Sequence, residues 1–400
     1  MRRLAAVVML VLTGCAQAHP SPTPATTSAT TATSPSPANG NASRLFAIVE
    51  GKTRCYGSPC TVAIVDLDGH VRARRTFNQL PPAVVGCEGS WIYSSVQVAG
   101  DAAYYLDGSG VVRRLTASGE VREVAHFPIR TNQQVTWFGV SPDGSRLMAA
   151  LMVYTPLSPS WNPQQGCPIH EPGRTYEELD IATAGGSTVT TLSDQTSPPQ
   201  VTSVVGWDKM GPVAVPDSHM AYIGFIEGTV WGGPAVHLDL HGQPVGGTIG
   251  GAGCSALFGE TIDGNLVCHD RKQPTVRDSA GKTLWSLKAL DPADDFSYGV
   301  IALSPDASRV AFNLSRQFAF DSSVIRSRDG VRIGLGSSFE PQGWLDNQTV
   351  IGARGSVQVT CAGCQPDFVP TTLGIINLAR PTEVRDLGIG GTFLGVLQGG

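Results

Sequence analysis

The stretch Val140-Ser141-Pro142-Asp143-Gly144, followed by the apolar run Arg146-Leu147-Met148-Ala149-Ala150, decides the fold. Pro-Asp-Gly is turn chemistry, because proline presets φ, aspartate bonds to nearby backbone and glycine accepts a positive φ. An apolar run directly after such a turn predicts a buried strand. The pattern returns at Leu303-Ser-Pro-Asp-Ala307, before Arg309-Val-Ala-Phe312. We therefore expect a fold built from repeated units of turn and strand.

Two related stretches, Val205-Gly-Trp-Asp208 and Gln342-Gly-Trp-Leu-Asp346, combine a tryptophan with an aspartate in the same way. Together the four stretches resemble the Ser-Pro-Asp-Gly signature, and its Gly-Trp-x-Asp variant, of TolB-type and WD-repeat-like β-propellers. The resemblance covers nearly all of residues 44–400. It implies an all-β ring of four-stranded blades that closes on itself.

Seven further tight turns mark the repeat, each followed by another strand. They are Asp66–His70, Thr116–Glu120, Ala182–Gly186, Asp239–Gln243, Asp278–Lys282, Arg328–Gly330 and Asn377–Pro381. The second strands of the units are expected to begin at 44, 102, 146, 220, 262, 309 and 348. Their spacing averages about 51 residues, which is typical of propeller blades. The prediction is a β-propeller of seven four-stranded blades, with eight blades as the alternative. Short strands alone are also compatible with a two-domain β-sandwich protein.

The two ends of this region complement each other. Leu45-Phe-Ala-Ile-Val49 has no inner strand before it, and Thr392-Phe-Leu-Gly-Val-Leu397 has no strand after it. We expect the C-terminal strand to join the first blade and close the ring, which leaves only short edges.

The N-terminus predicts a membrane anchor. Arg2 and Arg3 precede nine apolar residues, Leu4 to Leu12, too few to span a bilayer. Leu12-Thr13-Gly14-Cys15 then resembles the lipobox of bacterial lipoproteins, which implies a signal peptide over 1–14 and a lipidated Cys15. Ordinary secretion, with cleavage after Ala16-Gln17-Ala18, is the alternative.

Residues 15–43 form a linker dominated by Ala, Pro, Ser and Thr, with little to bury. The propeller domain follows at 44–400. Because residue 44 begins the second strand of the first blade, we expect the linker to leave from the face opposite the long loops. The predicted location is the outer, extracytoplasmic side of the cell membrane. The composition of the chain is Arg-rich and Lys-poor, which suggests an actinobacterium.

Nine cysteines agree with an oxidising compartment. Removing Cys15 leaves an even set, which outside the cytoplasm indicates disulfides. Nearness along the chain suggests the pairs Cys55–Cys60, Cys87–Cys167, Cys254–Cys268 and Cys361–Cys364, although only the even number is firm. The net charge of −5 and the lack of a basic patch exclude phosphate-driven nucleic-acid binding.

The longer connections are expected on one face of the ring, at 51–60, 78–90, 155–175, 227–233, 291–297, 315–323 and 360–370. Long loops on a rigid scaffold commonly carry binding sites. The leading hypothesis is a binding module for a protein or glycan, with candidate ligand-binding residues Trp161, His170, Trp231, Phe296, Arg316 and Phe368. The alternative is a hydrolase or lyase using carboxylates and His170 at the channel mouth, and a structural envelope role is the third hypothesis.

We predict no catalytic motif, metal or cofactor, although several patterns resemble such sites. Cys55, Cys60, Cys361 and Cys364 could hold zinc, but disulfides fit the compartment better. His237, Asp239 and His241 alternate like ligands on one strand face, yet we interpret them as solvent-facing residues of a turn. Asp291, Asp294 and Asp295 are interpreted as a solvated acidic loop. Trp285 resembles part of the tryptophan-docking motif of quinoprotein propellers, but we expect it to pack between blades.

Overall fold

The computed structural model describes most of the chain from residue 44 onward. The described ranges are 44–51, 59–79, 83–84, 90–91, 95–130, 133–154, 174–196, 201–217, 229–231, 235–251, 256–258, 261, 263–269, 274–287, 295–316, 319–359 and 367–398. Ala42–Gly400 forms one compact unit, and Met1–Asn41, which contains the predicted signal peptide and most of the linker, lies outside the described residues. A search of the described part of the chain for an apolar helix long enough to cross a membrane finds none.

Thirty-one β-strands lie in the described part of the chain. In chain order they are β1 Leu45–Glu50, β2 Cys60–Asp66, β3 Val71–Phe77, β4 Ala83–Val84, β5 Ser90–Trp91, β6 Val96–Ala99, β7 Ala102–Leu106, β8 Val111–Thr116, β9 Val121–His126, β10 Gln134–Val140, β11 Arg146–Tyr154, β12 Arg174–Thr183, β13 Val189–Thr196, β14 Val201–Asp208, β15 Gly211–Asp217, β16 Thr229–Trp231, β17 Val236–Leu238, β18 Pro244–Val245, β19 Ala256–Phe258, β20 Leu266–His269, β21 Thr275–Arg277, β22 Thr283–Ser286, β23 Asp295–Leu303, β24 Arg309–Arg316, β25 Ala319–Ser327, β26 Arg332–Gly336, β27 Phe339–Asp346, β28 Thr349–Gln358, β29 Asp367–Asn377, β30 Val384–Asp386 and β31 Gly391–Val396.

These strands form seven antiparallel sheets that are the blades of a β-propeller. From the inner to the outer strand they are β31-β1-β2-β3, β6-β7-β8-β9, β10-β11-β12-β13, β14-β15-β17-β18, β19-β20-β21-β22, β23-β24-β25-β26 and β27-β28-β29-β30, numbered here as blades 1 to 7. The fifth sheet carries an additional strand, β16, on the inner side of β19. β4 and β5 pair with each other in the chain segment that connects blade 1 to blade 2. The prediction of seven four-stranded blades is therefore confirmed.

The C-terminal strand closes the ring as the two chain ends predicted. β31 runs antiparallel to β1, and Phe46 faces Val396 in the pairing. Because β31 comes last in the chain and β1 first, blade 1 is assembled from both ends of the domain. β31, Gly391–Val396, thus supplies the inner strand that the first blade otherwise lacks.

Apolar side chains hold each blade against the next. Strand faces alternate, so one face of every sheet packs on the preceding blade and the other on the following blade. Seven core clusters of the described residues each join two consecutive blades around the full circle; for example, Leu151 of blade 3 packs with Phe127 of blade 2, and Ile375 of blade 7 packs with Ile48 of blade 1. Because each blade packs on both of its neighbours through these clusters, most residues of the blade strands are buried.

Trp285 contributes to one of these contacts, as predicted. Its ring is buried in the cluster that joins blades 5 and 6, and its Nε1 donates a hydrogen bond of 2.8 Å to the carbonyl oxygen of Ala307. Trp344 makes the equivalent link from blade 7 by donating to the carbonyl oxygen of Ala302 at 2.9 Å. Both indoles therefore bury an apolar ring and still satisfy their N–H group.

One face of the ring, called the turn face, carries the connections between first and second strands and between third and fourth strands. They range from two residues (209–210) to seven (259–265). The seven predicted tight turns are the seven connections between third and fourth strands. Gly69 illustrates the geometry: its φ is +85°, and a Cβ there would lie 2.2 Å from the carbonyl oxygen of Leu387. Only glycine fits such a position.

The opposite face, called the loop face, carries the connections between second and third strands and the links between blades. The longest single connection spans residues 155–173, between β11 and β12. The predicted long connection at 315–323 is wrong, because most of it belongs to β24 and β25, which are joined by only two residues, 317–318. In blade 4 the second strand is β15 at Gly211–Asp217, not a strand from 220, and in blade 5 it begins at Leu266 instead of 262.

Candidate functional site on the loop face

Four of the six predicted ligand-binding residues belong to described strands, and all four lie in blades 5 to 7. Trp231 ends β16, Phe296 is the second residue of β23, Arg316 ends β24 and Phe368 is the second residue of β29. Each position is at or near the end of its strand that faces the loop face. Trp161 and His170 lie outside the described residues, so their part in a site stays a prediction.

Blade register brings two of these positions close together. β23 and β24 run antiparallel, and Phe296 pairs with Leu314, two residues before Arg316. Arg316 in turn pairs with Ala319 at the start of β25. An aromatic residue and an arginine therefore share the loop-face end of blade 6.

The neighbouring blade adds a third member through direct side-chain contact. The rings of Phe320 in β25 and Phe368 in β29 lie 5.0 Å apart, tilted by 48°, a geometry that aromatic pairs favour. Phe368 is buried, with 7% of its surface exposed, whereas Phe320 is half-buried. Sequence reasoning missed Phe320 because 315–323 was interpreted as a loop, although the alternation Phe320, Ser322, Val324 is compatible with a strand.

The cysteines can be placed only in part. Cys60 begins β2 and Cys268 is the third residue of β20, both buried and both at loop-face ends of their strands. Their suggested partners Cys55 and Cys254, and the remaining Cys87, Cys167, Cys361 and Cys364, lie outside the described residues, as does Cys15. The disulfide pairing and the lipidation therefore stay predictions.

The turn face differs from this site because its carboxylates are engaged by its own turns. Asp239 Oδ1 accepts hydrogen bonds from the backbone N–H groups of His241 (2.8 Å) and Gln243 (2.9 Å), and these bonds lower its pKa. Asp143 likewise has a lowered pKa because the Ser141 hydroxyl and then Ser145 donate to it. Carboxylates that close their own turns have little capacity left for a ligand.

The interpretation of His237 as a solvent-facing residue is wrong. His237 is buried, and its Nε2 lies 2.9 Å from Oδ2 of Asp208, which is itself buried. Oδ1 of Asp208 accepts from the N–H groups of Met210 and Gly211 in the turn after β14. The pair thus ties the third strand of blade 4 to the first turn of the same blade, and Asp239 and His241 play no part in it.

One group of three potential metal ligands occurs among the described residues, on the turn face. Asp66, Asp68 and His70 lie close enough together to share an ion. However, Oδ2 of Asp66 lies 2.7 Å from a guanidinium nitrogen of Arg72, and its Oδ1 accepts from the N–H groups of Asp68 and His70. Arginine and backbone donors therefore already occupy the central carboxylate.

The described carboxyl group with a strongly raised pKa is Asp180, on the third strand of blade 3. Burial and, less strongly, the neighbouring Glu178 carboxyl raise its pKa to about 6. Asp180 is fully enclosed and lies between blades 2 and 3, away from the innermost strands that line a propeller channel. It does not provide the channel-mouth acid that the hydrolase or lyase alternative requires.

Comparison with known proteins leaves the family open. No protein-family model and no curated protein match the chain. Similar solved structures include an oligogalacturonate lyase in complex with manganese, at 10% identity and a TM-score of 0.48, covering 78% of this chain and 87% of that one. A puromycin-hydrolyzing peptidase of Mycobacterium tuberculosis matches at 13% identity and a TM-score of 0.47, over 88% of this chain and 54% of the peptidase.

A putative TolB from Agrobacterium tumefaciens is also similar, at 12% identity and a TM-score of 0.32, over 88% of this chain and 92% of that one. Such low identities and TM-scores support no statement about activity. The strand order and the closed ring define the class: this chain is a seven-bladed β-propeller.

Proposed function

We propose that the chain is a lipid-anchored extracytoplasmic binding module that presents its loop face to a protein or glycan ligand. The observation that carries this proposal is the contrast between the two faces. Short turns, hydrogen-bonded within themselves, close the turn face. The loop face receives the connections of up to 19 residues (155–173) and the ring pair of Phe320 and Phe368 from blades 6 and 7.

The start of the described chain supports this orientation. Arg44 directly precedes β1 and forms an ion pair with Asp346, the last residue of β27, next to the turn 347–348. The chain therefore enters the propeller from the turn face. The linker proposed to run from Cys15 would therefore join the propeller at the turn face, opposite the loop face.

The residue types at the loop-face end of blades 6 and 7 suit the binding of a ligand with a planar or polar surface. Aromatic side chains and arginine are the types that dominate protein recognition sites, and aromatic rings also stack on sugar rings. Phe296, Arg316 and Phe320 combine these types within two adjacent hairpins.

The anchor is tested by Cys15→Ala in the full chain. The variant should accumulate unprocessed or appear in the medium, while the natural chain stays with the membrane fraction and incorporates labelled fatty acid. Normal processing with unchanged membrane association of the variant would refute lipidation at Cys15.

The binding face is tested with a photo-crosslinking residue introduced at Arg316 on the loop face, or at exposed Arg328 on the turn face, in the anchored protein in cells. A discrete crosslinked product should form from position 316 and be absent from position 328. A defined glycan array probed with the natural chain and Arg316→Ala covers the second ligand class, and the substitution should weaken a true signal at least about tenfold. Equal crosslinking from both faces, with no glycan signal, would contradict the proposal.

A further inference from the structure

Two acidic residues lie where blade 3 packs on blade 2. Glu178 and Asp180 alternate on β12, so both side chains leave the same sheet face, and they pair with Leu151 and Ala149 of β11. Leu151 and Ala149 belong to the apolar cluster shared with Val124, Ala125 and Phe127 of blade 2. Glu178 is 2% exposed and Asp180 is not exposed at all.

Several described groups contact this pair. Gln133 Nε2 donates to Glu178 Oε2 at 2.8 Å, and the Arg130 guanidinium lies 3.4 Å from the same oxygen. The Thr191 hydroxyl donates to Asp180 Oδ1 at 2.8 Å. Within the described part of the chain, no N–H or O–H group donates to Asp180 Oδ2, although that oxygen is buried.

A buried, ionised oxygen without a donor is costly, and two adjacent carboxylates repel each other. A single proton removes both penalties, because a protonated carboxyl can donate to a neighbouring carboxylate. We propose that Asp180 and Glu178 form a buried proton-binding site. The proton stays on Asp180, whose O–H group donates a hydrogen bond to the Glu178 carboxylate.

The charges facing the site fit one proton and not two free carboxylates. Among the described residues, Arg130 faces the site as a cation from the link between β9 and β10. β9 and β11 present Val124, Ala125, Ala149 and Leu151, and β13 presents the Thr191 hydroxyl. Glu123 and His126 of β9 are exposed, and His126 bonds to the carbonyl oxygen of Ser109. Within the described part of the chain, this largely exposed guanidinium balances one carboxylate charge.

The site connects proton binding to the loop face. Arg130 and Gln133 belong to the loop-face link 127–133, and Gln133 Oε1 also accepts from the N–H of Arg130, at 2.8 Å. Loss of the proton places a second negative charge under this link and weakens the contact between blades 2 and 3. The contact between blades 2 and 3 is therefore most stable at acidic pH.

The sign of the effect follows from the raised pKa. Burial and then Glu178 hold the pKa of Asp180 at about 6 in the folded chain, against an ordinary value of 3.8. The folded state keeps a proton that the unfolded state loses, so stability decreases as pH rises from about 4 through about 6. From about pH 5 to pH 7 the unfolding equilibrium constant should rise about tenfold through this site alone.

The experiment compares urea unfolding of the full chain at pH 5, 6 and 7 for the natural protein, Asp180→Asn and the control Glu123→Gln. Asn keeps the shape and can donate to Glu178, so its unfolding constant should lack the tenfold rise that the natural protein and the control share. Equal pH slopes for all three proteins would overturn the proposal.

A second measurement needs no variant to fold. Infrared difference spectra of the natural protein, between pH 5 and 7, should show the carbonyl stretch of a protonated, buried carboxyl disappearing with a midpoint near the pKa of about 6. Absence of such a band at pH 5 would also overturn the proposal. If a divalent cation occupied the pair instead, added chelator would change the unfolding midpoint at pH 7, and that result too would overturn it.

Discussion

Two of the polar contacts between blades place carboxyl groups against the next blade, and they satisfy those groups in different ways. Between blades 6 and 7, the Ser323 hydroxyl donates to Asn313 Oδ1 at 2.8 Å, and Asn313 Nδ2 donates to Glu340 Oε1 at 2.8 Å. Between blades 2 and 3, Glu178 and Asp180 meet at one site with Gln133, Thr191 and Arg130 around them. The first contact is a relay from donor to acceptor that ends on a single carboxylate, whereas the second contains two carboxyls.

The difference lies in the number of donors. In the relay every buried group named has a partner at 2.8 Å without any change of protonation. At the second contact one oxygen of Asp180 lacks a donor among the described residues, and a proton must supply it. Contacts between blades of one repeat fold can therefore be either pH-independent or pH-dependent.

The largest effect is expected from breaking the relay. Asn313→Ala leaves the buried Ser323 hydroxyl without its acceptor and Glu340 without its amide donor, and it also opens a small cavity. We expect a loss of about 2–4 kcal/mol in the free energy of unfolding, measured by urea denaturation. Unlike the effect of Asp180→Asn, the loss should be equal at pH 5 and pH 7, and a strong pH dependence would contradict the relay description.

The repeat that contains these contacts could be predicted from the sequence because its signals are local. Asp and Gly favour tight turns through local interactions, and the seven tight turns between third and fourth strands give the number of blades. The second strand of blade 4 was misplaced because Gly211-Pro212 is typical of a strand break, since proline lacks an N–H donor. In the structure Pro212 nevertheless pairs with Trp207 inside β15.

A moderate effect of opposite sign is expected at the contact between blades 2 and 3. Near pH 7.5 the buried carboxyl group of Asp180 is mostly ionised, which is unfavourable because burial and Glu178 oppose the charge. Asp180→Asn removes this charge and supplies N–H donors for Glu178. The raised pKa corresponds to about 3 kcal/mol at most, and imperfect amide geometry should leave a gain of about 1–2 kcal/mol in unfolding free energy. Asp180→Ala, which loses the bond from Thr191 as well, is the matched control and should gain less.

The polar contacts themselves could not be predicted from the sequence. Gln133 and Glu178 are 45 positions apart, and only the docking of two completed blades brings them together. The same is true of Phe320 and Phe368, which come from different blades. Aromatic residues and arginines could be selected as loop-face candidates, but the pairing of particular side chains depends on register and on the angle between blades.

The smallest effect is expected where charges join two blades in solvent. Lys209 Nζ lies 2.8 Å from Oδ1 of Asp263 between blades 4 and 5, with 55% and 56% of the two side chains exposed. Water and salt screen such a pair, so Lys209→Ala should cost about 0.5 kcal/mol or less, and this small cost should disappear at high salt. Urea unfolding at low and high ionic strength measures it, with Asn313→Ala as the reference whose cost should not depend on salt. A cost for Lys209→Ala near that of Asn313→Ala would mean that burial is not what separates strong from weak polar contacts in this ring.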